Sequence, residues 1–258
     1  MIWHFIDTKS SSGNFNMELD IFLSKICKDD EAFFRLYQWN PYTISLGANQ
    51  NITEIDLGKC KSENIGVVKR PTGGRAILHA EELTYSLILP FSFGLSAREI
   101  YNKVSITLSV ALAKYNFKLS SVELENLQPN FKQLLENPSG ALCFASTAKS
   151  EVKFNGKKLI GSAQRKMNNV VLQHGSILCG KRHTDLPNYL ANKEHILELK
   201  EDLSNKTTEI ESIINEKIDY SLLSEKIKKQ FENEWNFTFL DSTNLFISKF
   251  ESENGSIF

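Results

Sequence analysis

Cysteines are few in this sequence, and none of them belongs to a Cys-X-X-Cys pair. The four cysteines, Cys27, Cys60, Cys143 and Cys179, are scattered along 258 residues without the spacing of metal ligands. This pattern argues against a disulfide framework and against a zinc site, and it fits a protein of the reducing cytosol. We therefore expect a cytoplasmic protein that holds no structural metal.

Long apolar runs are also absent. No stretch approaches the ~18 apolar residues that a membrane-spanning helix needs. The N-terminal residues, MIWHFIDTKSSSG, lack a basic leader, an apolar segment and a small-residue cleavage site. The sequence thus predicts neither a secretion signal nor a membrane partner.

Neither sign of charge is in excess. Thirty Lys and Arg residues face thirty-one Asp and Glu residues, which gives a net charge of −1. The bulk charge therefore carries no electrostatic footprint of a nucleic-acid binder. With 41% hydrophobic and 24% charged residues, the composition is typical of a globular protein and excludes a disordered or collagen-like chain. The length suits one large domain or two small ones.

Apolar periodicity and turn residues indicate a mixture of helices and strands. The clearest helix spans residues 96–116, and Ser96 with Glu99 forms a capping box at its start. Asn155-Gly156 is typical of a tight hairpin turn, because both central residues must accept a positive φ. We predict an α+β fold in which helices flank a mixed β-sheet core.

The remaining segments suggest one domain with a helical end. Residues 120–142 have no firm period and contain prolines, which indicates a long loop that leads to Cys143. From about residue 181 the sequence becomes helical and charged. Residues 241–258 read as a strand followed by a polar tail that we expect to fray. Residues 1–240 are accordingly expected to form a single domain.

Three segments carry residue types that suit the wall of a binding pocket. Gly73-Gly74 stands among cationic side chains and precedes His79. Because glycine has no side chain, the backbone of this turn can approach a ligand closely. The Gly-Ser-Ala stretch at 161–163 has little side chain to pack within a strand. His174 lies on a strand face with apolar neighbours. Each feature also has a plain structural explanation, namely a turn, a bulge or a hydrogen-bonded core histidine.

Cys143 differs in its setting from the other cysteines. It ends an irregular segment that contains prolines, whereas Cys27 lies on an amphipathic helical stripe. A reactive thiol must be accessible and needs a nearby cation, because the thiolate is the nucleophile. Lys157 and Lys158 are candidates for that cation. The residues alone favour a structural cysteine over a catalytic one.

Four motifs occur in the order of one known family. They are RPTGGRAILHAEELTYS at 70–86, ALCF at 141–144, GKKLIGSAQRK at 156–166 and VLQHGSIL at 171–178. Together they resemble the biotin/lipoate A/B protein ligase family, and within it the cysteine-bearing octanoyltransferases that act on the glycine-cleavage H protein. The resemblance extends from the N-terminal helix to about residue 235. It implies that residues 1–240 adopt the catalytic-domain fold of that family.

The resemblance also implies a mechanism of acyl transfer. Cys143 would accept an octanoyl group from acyl carrier protein, and Lys158 would favour the thiolate and help to hold the acyl carbonyl. A lysine of a lipoyl-domain protein, here the glycine-cleavage H protein, would then attack the acyl-cysteine and form an amide. Neither ATP nor a metal is expected, because the thioester donor is already activated.

The same resemblance implies a pocket for the acyl chain and its carbonyl group. The residues expected to line it are Arg70, Thr72, Gly73, Gly74, Arg75, Ala76, Ile77, Leu78, His79, Gly161, Ser162, Ala163, His174, Gly175 and Ser176.

Three alternatives stay open at this point. A lipoate–protein ligase shares the glycine motif and the lysine, but it adenylates free lipoate and needs no cysteine. An amidotransferase would use the same acyl-cysteine to move octanoyl or lipoyl groups between carrier proteins. A non-catalytic protein that holds lipoyl domains belongs to a different class, and the intact Cys143 and Lys158 argue against it.

Overall fold

The computed structural model describes residues 1–125 and 151–254. The strands are β1 (Ile2–Ser11), β2 (Glu31–Trp39), β3 (Thr43–Leu46), β4 (Gly66–Lys69), β5 (Ile77–His79), β6 (Glu82–Pro90), β7 (Val122–Leu124), β8 (Val152–Phe154), β9 (Lys157–Met167), β10 (Val170–Leu178) and β11 (Phe239–Asp241). The α-helices are α1 (Gly13–Ile26), α2 (Leu57–Ser62), α3 (Ala97–Tyr115), α4 (Ile196–Lys206), α5 (Ile210–Ile214), α6 (Tyr220–Trp235) and α7 (Thr243–Asn254). Short 3-10 helices span Ile52–Glu54, Phe91–Phe93, Phe117–Leu119 and Lys181–Tyr189.

Within residues 1–125 and 151–254 the strands form two sheets. In this part of the chain the larger sheet has eight strands in the order β11-β1-β2-β6-β10-β9-β8-β7, and the smaller has three in the order β4-β3-β5. In the larger sheet β1 runs parallel to β11 and β2, whereas β6, β10 and β9 are antiparallel neighbours. The sheet is mixed and helices flank it, which confirms the predicted fold class.

Helices cover both faces of the larger sheet. On one face α3 and α6 pack against β6, through residues such as Leu108 and Phe231. On the other face α1 packs through Leu19 and Leu23. Strands β6 and β10 are consequently buried along their whole length. A polar side chain on either strand must find its hydrogen-bond partner inside the protein.

Two local predictions are confirmed. The Ser96 hydroxyl accepts from the Glu99 backbone N–H, and the Glu99 carboxylate accepts from the Ser96 backbone N–H, which completes the capping box of α3. Asn155 and Gly156 have φ values of 50° and 74° and join β8 to β9. Of the predicted loop 120–142, residues Val122–Leu124 instead form β7, which pairs with β8.

The expectation of a frayed tail is wrong for residues 243–254, because they form α7. Phe246 and Phe250 of this helix are 6% and 2% exposed and join the core beneath α1. Burying such a side chain stabilises the fold by roughly 1.5–3 kcal/mol relative to leaving it exposed. The burial of these two side chains explains why the segment is an ordered helix although most of its residues are polar. No helix of the described chain combines the length and the apolar character required to traverse a bilayer.

Candidate active site

Polar side chains cluster where the smaller sheet covers the centre of the larger one. On β10, Ser176 pairs with Thr84 of β6 and with Gly161 of β9, and His174 follows on the same face. The smaller sheet contributes side chains from β3 and β5. The pocket enclosed between them is lined by Met17, Tyr37, Trp39, Ser45, Arg70, Ile77, His79, Thr84, Gly161, Ser162, Ala163, His174, Gly175 and Ser176.

His79 is held on three sides. Its Nδ1 lies 2.8 Å from Glu82 Oε1, and its Nε2 lies 2.7 Å from Ser45 Oγ. The imidazole stacks on the indole of Trp39, with ring centroids 4.0 Å apart and planes at 12°. Because a carboxylate only accepts, Nδ1 donates to Glu82. The ring therefore has one orientation at the wall of the pocket.

Glu82 is the centre of this hydrogen-bond network. Besides the bond from His79, its carboxylate accepts hydrogen bonds from the hydroxyls of Thr84, at 2.6 Å, and Ser176. The Trp39 indole N–H in turn donates to Thr84 at 2.7 Å. Burial by itself would raise the pKa of the Glu82 carboxyl, but His79 and the two hydroxyls outweigh burial and hold that pKa below its ordinary value.

A second buried network surrounds His174. Its Nε2 lies 2.6 Å from Thr72 Oγ1, and its Nδ1 lies 3.5 Å from Asp20 Oδ2. Asp20 is also ion-paired with Arg35, and both side chains are fully buried. Burial lowers the pKa of His174, although Asp20 acts in the opposite direction. Burial would raise the pKa of Asp20, but Arg35 and His174 leave it lowered.

The glycine turn is organised by Arg70. This side chain is 3% exposed, and its guanidinium donates to the backbone oxygens of Ser45 at 2.8 Å, Gly73 at 3.0 Å and Arg75 at 2.6 Å. Gly74 has a φ of 93°, a conformation that a side chain would strain. The planar fork of Arg70 thus fixes the backbone of the turn.

The structure brings most of the predicted binding residues together. Nine of them line the pocket, namely Arg70, Ile77, His79, Gly161, Ser162, Ala163, His174, Gly175 and Ser176. Thr72 contacts the pocket residue His174, and Gly73 and Gly74 are exposed on the turn. Arg75 is half-buried, while Ala76 and Leu78 pack in the core beneath the smaller sheet. Their roles in binding stay predictions.

Several functional candidates were missed by sequence reasoning. Met17, Tyr37, Trp39, Ser45 and Thr84 also line the pocket. The strand sequence FFRLYQW gives one indication of a pocket wall. Arg35, Tyr37 and Trp39 stand at alternate positions and therefore share one face of the strand. Nothing in the sequence indicates that the carboxylates of Asp20 and Glu82 are buried.

The two predicted catalytic residues differ in what the structure says of them. Lys158 lies on β9 with its side chain 1% exposed, and its Nζ is 3.0 Å from Glu151 Oε1. It is not one of the residues that line the pocket. Cys143 lies outside the described residues. Within residues 1–125 and 151–254, no group of three or more His, Cys, Asp or Glu residues is arranged to hold a metal ion.

Comparison with known proteins gives consistent matches over most of the chain. The model of the lipoyl protein ligase A/B catalytic domain matches residues 12–232. The protein named octanoyltransferase LipM of Clostridioides difficile is 37% identical over 246 residues, which cover 93% of this chain and 89% of that protein. Its namesake from Staphylococcus aureus is 34% identical over 238 residues, which cover 89% and 86%.

A solved structure shows the same fold at low identity. The crystal structure of lipoate-protein ligase A bound with ATP matches with a TM-score of 0.72, at 16% identity. The match covers 97% of this chain and 95% of that one. The fold predicted from the motifs is therefore confirmed.

Proposed function

The chain belongs to the lipoyl protein ligase A/B family, and on that basis we propose that it is an octanoyltransferase of lipoate biosynthesis. It transfers an octanoyl group to a lysine of a lipoyl-domain protein. The observation that carries this function is the 37% identity to an octanoyltransferase LipM across 93% of the chain. The protein is thus an acyltransferase.

The reaction has two acyl-transfer steps. The Cys143 thiolate attacks the thioester carbonyl of octanoyl-acyl carrier protein, the carbon–sulfur bond to the carrier breaks, and the carrier leaves as a thiol. The ε-amine of the acceptor lysine then attacks the acyl-cysteine, forms an amide and returns the cysteine to its free form. Each step exchanges one acyl bond for another, so no ATP or metal is needed. Lys158 supplies the positive charge that favours the thiolate and polarises the carbonyl.

The pocket has the character that an octanoyl chain requires. Trp39, Tyr37, Ile77 and Met17 provide apolar surface. The polar atoms in the wall are already hydrogen-bonded to one another, as Ser45 is to His79. An apolar chain bound against this wall would therefore leave none of these hydrogen-bonded groups unsatisfied. This arrangement supports acyl binding between the two sheets.

The partners follow from the two steps. The family is named for the ligation of lipoyl groups to proteins, which supports a lipoyl-domain protein as acceptor. Acyl carrier protein is the donor, and the glycine-cleavage H protein is the acceptor. We propose that the reaction takes place in the cytoplasm, without a nucleic acid or a membrane as partner.

An ATP-dependent lipoate–protein ligase is the second candidate, because the chain shares the fold of an ATP-bound ligase. An amidotransferase that moves acyl groups between lipoyl-domain proteins would use the same acyl-cysteine as the proposed enzyme. The substrates consumed distinguish the three activities.

The deciding experiment measures the intact mass of the protein after incubation with octanoyl-acyl carrier protein, without ATP and without acceptor. We expect an octanoyl adduct that hydroxylamine removes and that Cys143→Ala does not form. Adding apo H protein should then transfer the octanoyl group to it. If no adduct forms but free lipoate with ATP modifies the H protein, the chain is a ligase. If only an octanoylated lipoyl-domain protein serves as donor, it is an amidotransferase.

A further inference from the structure

Lys158 of β9 and Glu151, which directly precedes β8, form a buried ion pair. Their Nζ and Oε1 atoms are 3.0 Å apart, and the two side chains are 1% and 5% exposed. An exposed ion pair contributes little, because water screens both charges. A buried one is different, since an ammonium group that loses its carboxylate is left as an uncompensated charge in a medium of low dielectric constant. The Glu151 carboxylate thus helps to compensate the buried charge of Lys158.

The backbone on either side of this pair is held in place. The Glu151 carbonyl oxygen accepts from the Glu125 backbone N–H at 2.9 Å, which extends the pairing of β7 with β8 by one residue. The Lys158 carbonyl oxygen accepts from the Thr208 backbone N–H at 3.0 Å, in the segment between α4 and α5. Both side chains therefore start from fixed main-chain positions.

The pairing of β8 with β9 is irregular at this point. Val152 pairs with Ile160, whereas the next residue, Lys153, pairs with Lys158, so that β9 contains one extra residue, Leu159. Such bulges change the direction in which neighbouring side chains point. Because of the bulge, the side chain of Lys158 does not follow the alternation of side-chain directions that continues through Gly161 and Ser162. The local structure thus directs the lysine toward the carboxylate that precedes β8.

From this geometry we infer that Glu151 is a positioning residue for acyl transfer, which acts by holding the ammonium of Lys158 in place. The inference rests on the proposed role of Lys158 at the acyl carbonyl. In this role Glu151 acts through Lys158 and not on the donor or the acceptor. It fixes the position of the cation before the substrate arrives, so that no reorganisation is needed during the reaction.

The test compares three variants in octanoyl transfer from octanoyl-acyl carrier protein to apo H protein. Glu151→Gln keeps the shape of the side chain and removes its charge, while Glu151→Asp keeps the charge. Glu125→Gln is the matched control, because it removes the neighbouring ion pair with Lys153, whose side chain is also largely buried. For each variant kcat, the KM for the donor and the Tm are measured.

We expect Glu151→Gln to lower kcat by about 10-fold or more, with KM within about 2-fold of the native protein. Glu151→Asp should lower kcat by no more than about 2-fold to 5-fold, and Glu125→Gln should lower it by no more than about 2-fold. Native kcat in Glu151→Gln would overturn the inference, and so would an equal loss in Glu125→Gln, since the effect would then be one of packing. If Glu151→Gln does not fold, Glu151→Asp decides, and a loss of kcat of about 10-fold or more in that variant, which keeps the carboxylate charge, overturns the inference.

The experiment distinguishes a failure of this inference from a failure of the proposed function. If the native protein transfers no octanoyl group from acyl carrier protein, the proposed function has failed. If the native protein is active and Glu151→Gln matches it, only the role of Glu151 is lost.

Discussion

The hydroxyl of Thr72 lies 2.6 Å from Nε2 of His174, although 102 positions separate the two residues in the chain. Thr72 begins the glycine turn, and His174 stands in the middle of the central strand β10. On its other side His174 contacts Asp20, which is ion-paired with Arg35 of β2. The glycine turn is therefore positioned from inside the core of the larger sheet.

Removing the Thr72 hydroxyl tests this connection. Thr72→Val is close in size but leaves a ring nitrogen of the buried His174 without its partner, which should lower the free energy of unfolding by about 1–3 kcal/mol. Urea denaturation measures the change. Thr184→Val is the control, because that hydroxyl bonds to the exposed Lys181 carbonyl and should cost at most about 0.5 kcal/mol. Equal losses in the two variants would contradict the prediction.

Two glycines of the binding motifs should respond differently to alanine. A Cβ at Gly175 would meet Tyr85 Cε1 at 2.5 Å and Ser162 Oγ at 2.7 Å, whereas a Cβ at Gly73 would meet nothing within 4 Å. We expect Gly175→Ala to destabilise the fold by about 1–3 kcal/mol through overpacking. Gly73→Ala should leave the stability nearly unchanged. Thermal unfolding of both variants checks this, and a native Tm for Gly175→Ala would refute it.

The stability should fall as the pH drops below neutrality. Burial lowers the pKa of His174 and of His183 from the ordinary 6.5. Below pH 6.5 the unfolded chain binds protons that these buried rings exclude, so each ring lowers the free energy of unfolding by at most about 1.4 kcal/mol per pH unit. His183 bonds to Gly180 and Thr207, away from the pocket. His183→Gln should therefore reduce the slope between pH 7 and pH 5, measured by urea denaturation, and an unchanged slope would count against this cause.

Helix α7 should be part of the cooperative fold. Phe246 packs edge-on against Phe33, with ring centroids 4.8 Å apart, while its neighbour Leu245 is 62% exposed. Phe246→Ala should cost about 3–5 kcal/mol through the lost contacts and the cavity. Leu245→Ala, on the outer face, should cost no more than about 0.5 kcal/mol. A similar small loss in both variants would mean that the helix is only loosely attached.

The resemblance predicts that the motifs meet at one pocket. The sequence does not indicate which of their side chains form hydrogen bonds with one another. Glu82, Thr84 and Ser86 alternate with Leu83 and its apolar successors, a pattern that usually places the polar side in water. In this fold the smaller sheet covers that side, so all three polar residues are buried, and the Thr84 hydroxyl donates to the Glu82 carboxylate. The covering sheet is a tertiary feature that no local pattern reveals.

Lys157 and Lys158 at the start of β9 also show how little of the site's tertiary structure the sequence predicts. Lys157 and Lys158 are identical in type and adjacent, so alternation predicts only that they point to opposite faces. Lys157 donates to the backbone oxygen of Ser204 near the surface, whereas Lys158 is buried. The resemblance identified Lys158 as the catalytic candidate, but its burial depends on a carboxylate seven residues earlier and on the bulge between them. Neither has a signal in the sequence.

The pairing of β11 with β1 bears on how the protein can be made. Trp3, His4 and Phe5 of β1 pair with residues 239–241 of β11, so β1 cannot complete its pairing in the larger sheet until β11 has been synthesised. Until residue 241 has been synthesised, the outer edge of β1 presents unpaired backbone groups and aromatic side chains. Exposed strand edges of this kind promote aggregation. The outer edge of β1 is therefore protected from such contacts only once β11 has been synthesised.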